Sequence, residues 1–553
     1  MGSGRRTAGG CPAYDERVDE VRRRVLQVAV PAAVLGIAAA TRLIGLEQPG
    51  ELVFDETYYV KDAESLRQLG YEGRWPEGAN DLWAAGTPGS PNPLAAFVVH
   101  APLGKWIITL GLGALGPENA VGWRLGTAVA GVALVGLVML LAHLLLGRLV
   151  LTGISGLLIA VDGNAIVMSR IALLDGVLAL FVVIAVICVV LDRRDASTQL
   201  ARWIDRRRAT DPAPATDPPR STDWGPALWR RPWLLAAGVT FGLAVGVKWS
   251  ALYLLAAFAV LTVVADAFDR RRAGVSLWVS GTLLRQAPIS CALVVPPAAA
   301  AHLLTWWGWF TTSAGYGRDR VVTDENRLPS ILGSLPQALQ NWWEYQTAIY
   351  GYHVGVSSTH NYEAPAIGWP LLLRPTFMHY RDLGDGTAEA ISGIPNPLIW
   401  WASVAAVVTI VVSIMIGCGA AAAKVLRARR LAVEVARPAP ILLPFVGSPW
   451  AVAIVVTGVG AGWLPWLLYP DRTMFFFYTI VITPFLVLAL TMVLGAVLGT
   501  ATAPRTRRVT GAAIVFGMLA LVVAISAFFL PLWTGSPIPL DLLRLRYWLP
   551  TWV

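Results

Sequence analysis

Charge is scarce in this chain: only 14% of its 553 residues are Asp, Glu, Lys or Arg, against about 25% in an ordinary soluble domain. A soluble core stops growing at roughly 250–300 residues, and its polar surface would restore the missing charge. With 56% apolar residues and a mean hydropathy of +0.58, the chain reads as one whose solvent is a bilayer. Cysteine is scarcer still. Of the four, Cys188, Cys291 and Cys418 lie in or beside apolar runs and Cys11 in the polar N-terminal segment, with no Cys-x-x-Cys spacing and no neighbouring His. That excludes a disulfide framework and a zinc finger. Carboxylates and His show no convincing ligand spacing either, so no cofactor and no obligatory metal are expected. The net charge of +9 is not a nucleic-acid footprint, because the basic residues fall in short clusters between apolar runs rather than along one face.

Long apolar runs, by contrast, are plentiful. A membrane span needs about 20 mostly apolar residues, and eleven runs qualify: near 25–46, 121–146, 148–166, 171–191, 233–248, 250–267, 287–307, 396–418, 444–469, 473–498 and 511–531. The first follows Arg22, Arg23 and Arg24, is too long for a signal-peptide core and lacks a small-residue cleavage site, so it reads as an uncleaved anchor with a cytoplasmic N-terminus. Threading the runs alternately tests this, because Lys and Arg concentrate in cytoplasmic loops. The N-terminal tail and the loops containing Arg206 to Arg208, Arg270 to Arg272, Arg427 to Arg430 and Arg505 to Arg508 all fall on one side. Residues 47–120, with ten acidic residues against four basic ones, and the net-acidic 308–395 fall on the other.

The chain is thus expected to be an all-α polytopic protein of the plasma membrane. A cytoplasmic tail (1–24) precedes a transmembrane domain (25–531), and an extracytoplasmic tail (532–553) follows it. Residues 192–232 form a cytoplasmic loop whose Pro-, Asp- and Thr-rich 209–226 stretch reads as disordered. The two long outer loops are rich in Trp, Gly and Pro, and chemistry belongs there.

Directly after the first span come Phe54-Asp55-Glu56-Thr57-Tyr58-Tyr59, adjacent carboxylates among aromatic residues at the membrane face. Two solvated loop acids are the plain alternative, but ionisable groups at a bilayer are functional candidates by default. Arg42 and Arg124 stand near the outer ends of two flanking spans. Each either snorkels to headgroups or meets a lipid phosphate, for which the Arg fork is well shaped; Arg42 could equally orient Asp55. His100 and Lys105 lie in the same outer loop. Trp306, Trp307, Trp309, Trp342, Trp343 and Trp369 read mainly as an interfacial belt, with one or two free to stack on a sugar or peptide.

These residues carry a resemblance. Phe54-Asp55-Glu56, His100 to Lys105, Trp123-Arg124, Ser169 to Asp175, Gly246-Val247-Lys248-Trp249-Ser250 and the tail Trp548 to Trp552 together look like the protein O-mannosyltransferase family. Ser358 to Pro365 and Trp369 to Pro375 resemble its actinobacterial branch. The resemblance implies a GT-C glycosyltransferase with about eleven transmembrane helices that moves mannose from polyprenyl-phosphate mannose to Ser or Thr hydroxyls of secreted polypeptides. It implies that Asp55 and Glu56 are the catalytic acids. Asp55 is then the base, although the two could exchange roles, with Arg42, Arg124 and, more weakly, Lys105 and His360 on the donor phosphate. Tyr58, His100, His360, Trp369 and Arg374 are candidates for the acceptor or sugar. Ala101 departs from the family's His-Pro-Pro-Leu-Gly-Lys, and 308–395 is too short for a β-trefoil MIR domain. Coupling to the secretion translocon follows only from the logic that hydroxyls are most accessible before folding. The readings set against this one are a GT-C transferase with a lipid or polysaccharide acceptor, a secondary transporter and a non-catalytic scaffold for secretion. A transporter would show inverted repeats, and none is evident.

Overall fold

Within lipid a backbone satisfies its polar groups by coiling into helices or closing a barrel. The computed structural model, which describes residues 12–210, 223–431 and 444–553, is built from helices. α1 (Pro12–Leu43) leads through a loop to α2 (Glu56–Leu69), and α3 (Leu103–Leu115) precedes the long α4 (Ala120–Leu146). Next come α5 (Leu149–Ala160), α6 (Gly163–Arg170), α7 (Leu174–Thr210), α8 (Pro232–Val245), α9 (Ala251–Arg272) and α10 (Ala287–Thr305). α11 (Gln337–Gly355) stands in the second long loop, ahead of α12 (Pro397–Leu431), α13 (Pro449–Trp463), α14 (Thr483–Leu498) and α15 (Arg505–Thr534). The core is organised around α7: 72% of its apolar window is buried, against 11–44% in the other long spans.

Among the described residues eight helices are long and apolar enough to cross a membrane, and each coincides with an expected span. The span expected over 148–166 is instead two helices, α5 and α6, bent by 60°. Side chains satisfy the break. Asp162 caps α6 by accepting the Ala165 N–H at 3.0 Å, and it also accepts the Asn396 N–H at 3.1 Å. The Ser526 hydroxyl donates to the Val161 carbonyl at 2.7 Å. The last two expected spans, 233–248 and 473–498, correspond to α8 and α14, of 14 and 16 residues. Alone these reach roughly 21 and 24 Å, short of the bilayer core's ~30 Å. By length and composition the described residues give eight spans, or nine with the bent pair, and two of the eleven expected runs are the shorter apolar helices α8 and α14.

The first part of the segment expected as a cytoplasmic loop, 192–210, is helical. α7 runs on to Thr210, and Arg193 on it is ion-paired with Asp269 on α9. Most of the stretch read as disordered, 211–222, lies outside the described residues, as does Cys11. Cys188 is buried and free, and Cys291 and Cys418 are exposed and free.

The two long loops and the C-terminal tail add small sheets to the helical frame. β1 (Gly73–Arg74) pairs with β2 (Asn92–Ala95), while β3 (Phe377–Asp382) and β4 (Thr387–Ser392) form an antiparallel hairpin that β5 (Ile538–Pro539) extends. β5 fastens the C-terminal tail to the second long loop, and the buried Trp552 reinforces this by donating to the Leu372 carbonyl at 2.8 Å. The tryptophans expected as an interfacial belt divide. Trp306 and Trp309 are buried with Tyr345 and Ile349 in a separate aromatic core, and Trp369 is buried in the main one, whereas Trp307 and Trp343 are exposed.

Candidate active site

The adjacent acids Asp55 and Glu56 sit at the start of α2 and have different surroundings. Glu56 is fully buried, and both of its oxygens are saturated. Oε1 accepts from Arg124 Nε at 2.9 Å and the Ala172 N–H at 2.8 Å; Oε2 accepts from Arg124 Nη2 at 2.8 Å and the Val53 N–H at 3.0 Å. Asp55, one residue earlier, occupies the N-cap position, where an Asp side chain ordinarily accepts a backbone N–H. Here it makes no such bond. Its one side-chain partner among the described residues is the Tyr59 hydroxyl, which donates to Oδ2 at 3.3 Å.

The preceding residue explains the turn. Phe54 has φ +50°, a left-handed conformation uncommon for a bulky side chain. Edge-on packing against Phe475 and Phe477, both 5.7 Å away, and His360, at 6.2 Å, holds it there. Strain of this kind persists where the surroundings over-determine it. The half-buried Asp55 carboxyl has its pKa pushed up to about 6, first by burial and further by the negative Asp175, against the pull of Lys248 and the Tyr59 hydrogen bond.

Asp55 is not itself among the lining residues of the cavity of about 270 Å³, but Lys248 and Asp175, whose charges act on it, are. The cavity's polar lining comes from segments far apart in sequence: His100 ahead of α3, Asp175 in the first turn of α7, Lys248 between α8 and α9, His353 near the end of α11, and Arg472 and Tyr478 between α13 and α14. The Lys248 ammonium is 2.7 Å from Asp175 Oδ2 and lies 6.0 Å from the Tyr59 ring centroid, 5.8 Å from Phe477 and 5.3 Å from Tyr478. Arg472 rests on Trp466 and donates to the carbonyls of His353 and Thr473, which leaves its Nη2 without a partner among the described residues. His100 stacks on His353 with centroids 5.0 Å apart. Burial holds the His100 pKa well below the usual range and lowers that of His353 to about 4, so both rings are neutral at pH 7. Leu252, Leu254 and Val481 supply part of the apolar wall.

The cations expected to hold a phosphate are elsewhere. Arg42 is buried and donates to the carbonyls of Ile159 at 3.1 Å and Ala160 at 2.9 Å, the unpaired last carbonyls of α5 at the break before α6. Arg124 holds Glu56 and the carbonyls of Leu46, Pro49 and Glu51. Lys105 is buried between Asp62 at 3.2 Å and Glu72 at 2.9 Å. None of the three lines the cavity.

Of the candidates for acceptor or sugar, His100 lines the cavity and His360 packs on Phe54 and Phe475 behind Asp55. Trp369 is buried and donates to the Ala364 carbonyl, Arg374 ties the Asn361 carbonyl to that of Thr551, and Tyr58 is exposed to solvent. Lys248 appeared in the sequence only as part of a motif, and Arg472 and His353 were not singled out. No group of three His, Cys, Asp or Glu able to hold a metal ion occurs among the described residues.

Comparison with known proteins finds relatives over nearly the whole chain. Residues 32–205 match the family model described as dolichyl-phosphate-mannose-protein mannosyltransferase, and residues 338–552 match the C-terminal four-span region of protein O-mannosyltransferase. The chain is 31% identical to a polyprenol-phosphate-mannose–protein mannosyltransferase of Mycolicibacterium smegmatis, with 95% of this chain and 92% of the relative covered. It is 30% identical to the Mycobacterium tuberculosis protein of the same name, with 93% and 90% covered. Its fold is similar to a chain of the S. cerevisiae protein O-mannosyltransferase Pmt1-Pmt2 complex bound to the sugar donor, at a TM-score of 0.65, 14% identity and coverage of 95% and 92%. The chain belongs to the protein O-mannosyltransferase family, a family of membrane glycosyltransferases.

Proposed function

We propose that the protein transfers mannose from polyprenyl-phosphate mannose to Ser or Thr hydroxyls of secreted polypeptides in a single inverting displacement at the outer face of the plasma membrane. The observation that carries this reading is a carboxyl group free of backbone duties, Asp55, linked through Tyr59 to Lys248, which lines a cavity together with a second cation, Arg472. An alcohol is a weak nucleophile, so a base within hydrogen-bond reach must take its proton as the oxygen bonds to the anomeric carbon. Asp55 is that base. A pKa near 6 leaves it ionised at pH 7 yet more basic than an ordinary Asp. Glu56, saturated by Arg124 and two backbone N–H groups, fixes the start of α2 and so the place of Asp55.

As the new bond forms, the bond from the anomeric carbon to the phosphate oxygen breaks and the phosphate takes the electron pair. Preorganised cations stabilise such a developing charge, and removing one such contact costs on the order of 10²–10³ in rate. Lys248 and Arg472 take this role, because Arg42, Arg124 and Lys105 are buried away from the cavity, with their terminal nitrogens bonded inside the protein. The apolar wall suits a prenyl chain. The basic clusters of the loops, read by the positive-inside rule, put the cavity on the side away from the cytoplasm, where unfolded secreted chains emerge from the translocon.

The test is transfer of labelled mannose from polyprenyl-phosphate mannose to a Ser/Thr-rich peptide by the full chain in detergent and chelator, with the anomeric configuration of the product read by NMR. Transfer with inversion is the expected result, and it is expected to survive chelation because side-chain cations face a monophosphate leaving group. Labelling of a lipid or glycan in place of peptide, or retention of configuration, contradicts the reading.

A further inference from the structure

Resting on this reading of the cavity, we propose that Asp175 is a positioning residue: it fixes the Lys248 ammonium against the donor phosphate, and the pair sets the charge that Asp55 works against. Geometry carries the first half directly, and Tyr59, whose ring faces Lys248 and whose hydroxyl donates to Asp55, links the pair to that acid. Asp175 stands in the first turn of the buried α7, and Lys248 lies in the turn between α8 and α9, 73 residues later. Both line the cavity, with the ammonium 2.7 Å from Oδ2.

The lysine has little freedom left. Tyr59, Phe477 and Tyr478 present ring faces to it at 5.3–6.0 Å, and Asp175 is its one ion-pair partner among the described residues. A caged ammonium with a single carboxylate is preorganised, and a buried ion paired on one side keeps donors for a phosphate on the other. Asp175 Oδ1 has no hydrogen-bond partner among the described residues, so the carboxylate is not committed to capping its own helix. Tyr59 and Tyr478 touch the same lysine and are the other titratable groups facing Asp55.

Asp175 and Lys248 act on Asp55 with opposite sign: the carboxylate favours the protonated acid and the ammonium favours the ionised base. Substituting each partner should therefore move the acid limb of activity in opposite directions. In Asp175→Asn the repelling charge is gone and the caged ammonium keeps Asp55 as its remaining carboxylate neighbour, so Asp55 ionises at lower pH. In Lys248→Gln the attracting charge is gone, so Asp55 ionises at higher pH. Loss of packing alone has no reason to produce that sign reversal.

The experiment is the pH dependence of kcat/KM for mannosyl transfer by wild type, Asp175→Asn and Lys248→Gln, with KM for the donor measured at pH 7.5 and melting temperatures recorded in the same detergent. Transfer by wild type tests the underlying reading separately from the variants. The expected result is an acid limb displaced downward in Asp175→Asn and upward in Lys248→Gln, with donor KM raised about tenfold in each, the scale of one hydrogen bond to a charged group. Acid limbs that stay at the wild-type position or move the same way, or a wild-type donor KM in Asp175→Asn, overturn the proposal. If Asp175→Asn fails to fold, Asp175→Glu keeps the charge: retention of the wild-type acid limb supports the proposal, and displacement overturns it.

Discussion

Asp55 and Glu56 are adjacent and chemically alike, yet Glu56 is bonded on both oxygens while Asp55 keeps only the Tyr59 hydroxyl, which is why Asp55 is the one proposed as the base. Asp55 is ionised at a cost. Its pKa in the folded chain, about 6, lies above the ordinary value of 3.8, so the folded state holds the proton more tightly and loses stability as pH rises through that interval. Asp55→Asn removes the penalty and is expected to melt no lower than wild type at pH 7.5, as differential scanning fluorimetry would show. Glu56→Gln strips the counter-charge from a fully buried Arg124, a change that typically costs 3–5 kcal/mol, and should lower the melting temperature together with activity. A base that must be ionised also fixes the sign of the pH dependence: wild-type kcat/KM is expected to fall as pH drops through about 6, measured across pH 5–8.

At the scale of elements, the site depends on how closely α3 approaches α4. A Cβ added at Gly126 would lie 2.4 Å from the Ile107 carbonyl oxygen, and one at Gly111 would lie 2.1 Å from that of Gly122. The two helices therefore meet backbone to backbone, and His100 and Lys105 travel with α3. Gly126→Ala is expected to push them apart at a cost of roughly 1–3 kcal/mol, seen as a lower melting temperature and a loss of transfer. The span pattern was legible in the sequence because hydropathy records burial in lipid directly, and eight helices coincide with expected runs. The break at Asp162 was not. An apolar run with one acid looks continuous until Asn396 and Ser526 arrive from distant helices to satisfy it. The acid pair was legible for a local reason, its place just after the first span. Which acid is free and which is pinned was hidden, since Arg124 lies 68 residues from Glu56. Lys248 and Arg472 could not be ranked above other cations without the fold that turns them into one cavity.

Over the whole molecule, the polar lining of the cavity comes from the ends of helices opposite the basic clusters, and the two long acidic loops lie with it. Thr198, exposed on the extension of α7, and Glu325, exposed in the second long loop, report the two sides. In a chain otherwise cleared of accessible thiols, a membrane-impermeant maleimide is expected to label Glu325→Cys in intact cells and Thr198→Cys only after permeabilisation. The arrangement joins an apolar cavity wall, two cations and a carboxylate whose one side-chain partner is the Tyr59 hydroxyl, which together suit a sugar leaving a lipid phosphate for an alcohol. The most direct test of that chemistry is the rate of mannose transfer to peptide by Asp55→Asn beside wild type at pH 7.5. A well-folded variant slowed by about 10²–10⁴, the range for loss of a general base, is the expected result. Transfer at the wild-type rate would contradict the assignment of Asp55 and of the reaction built around it.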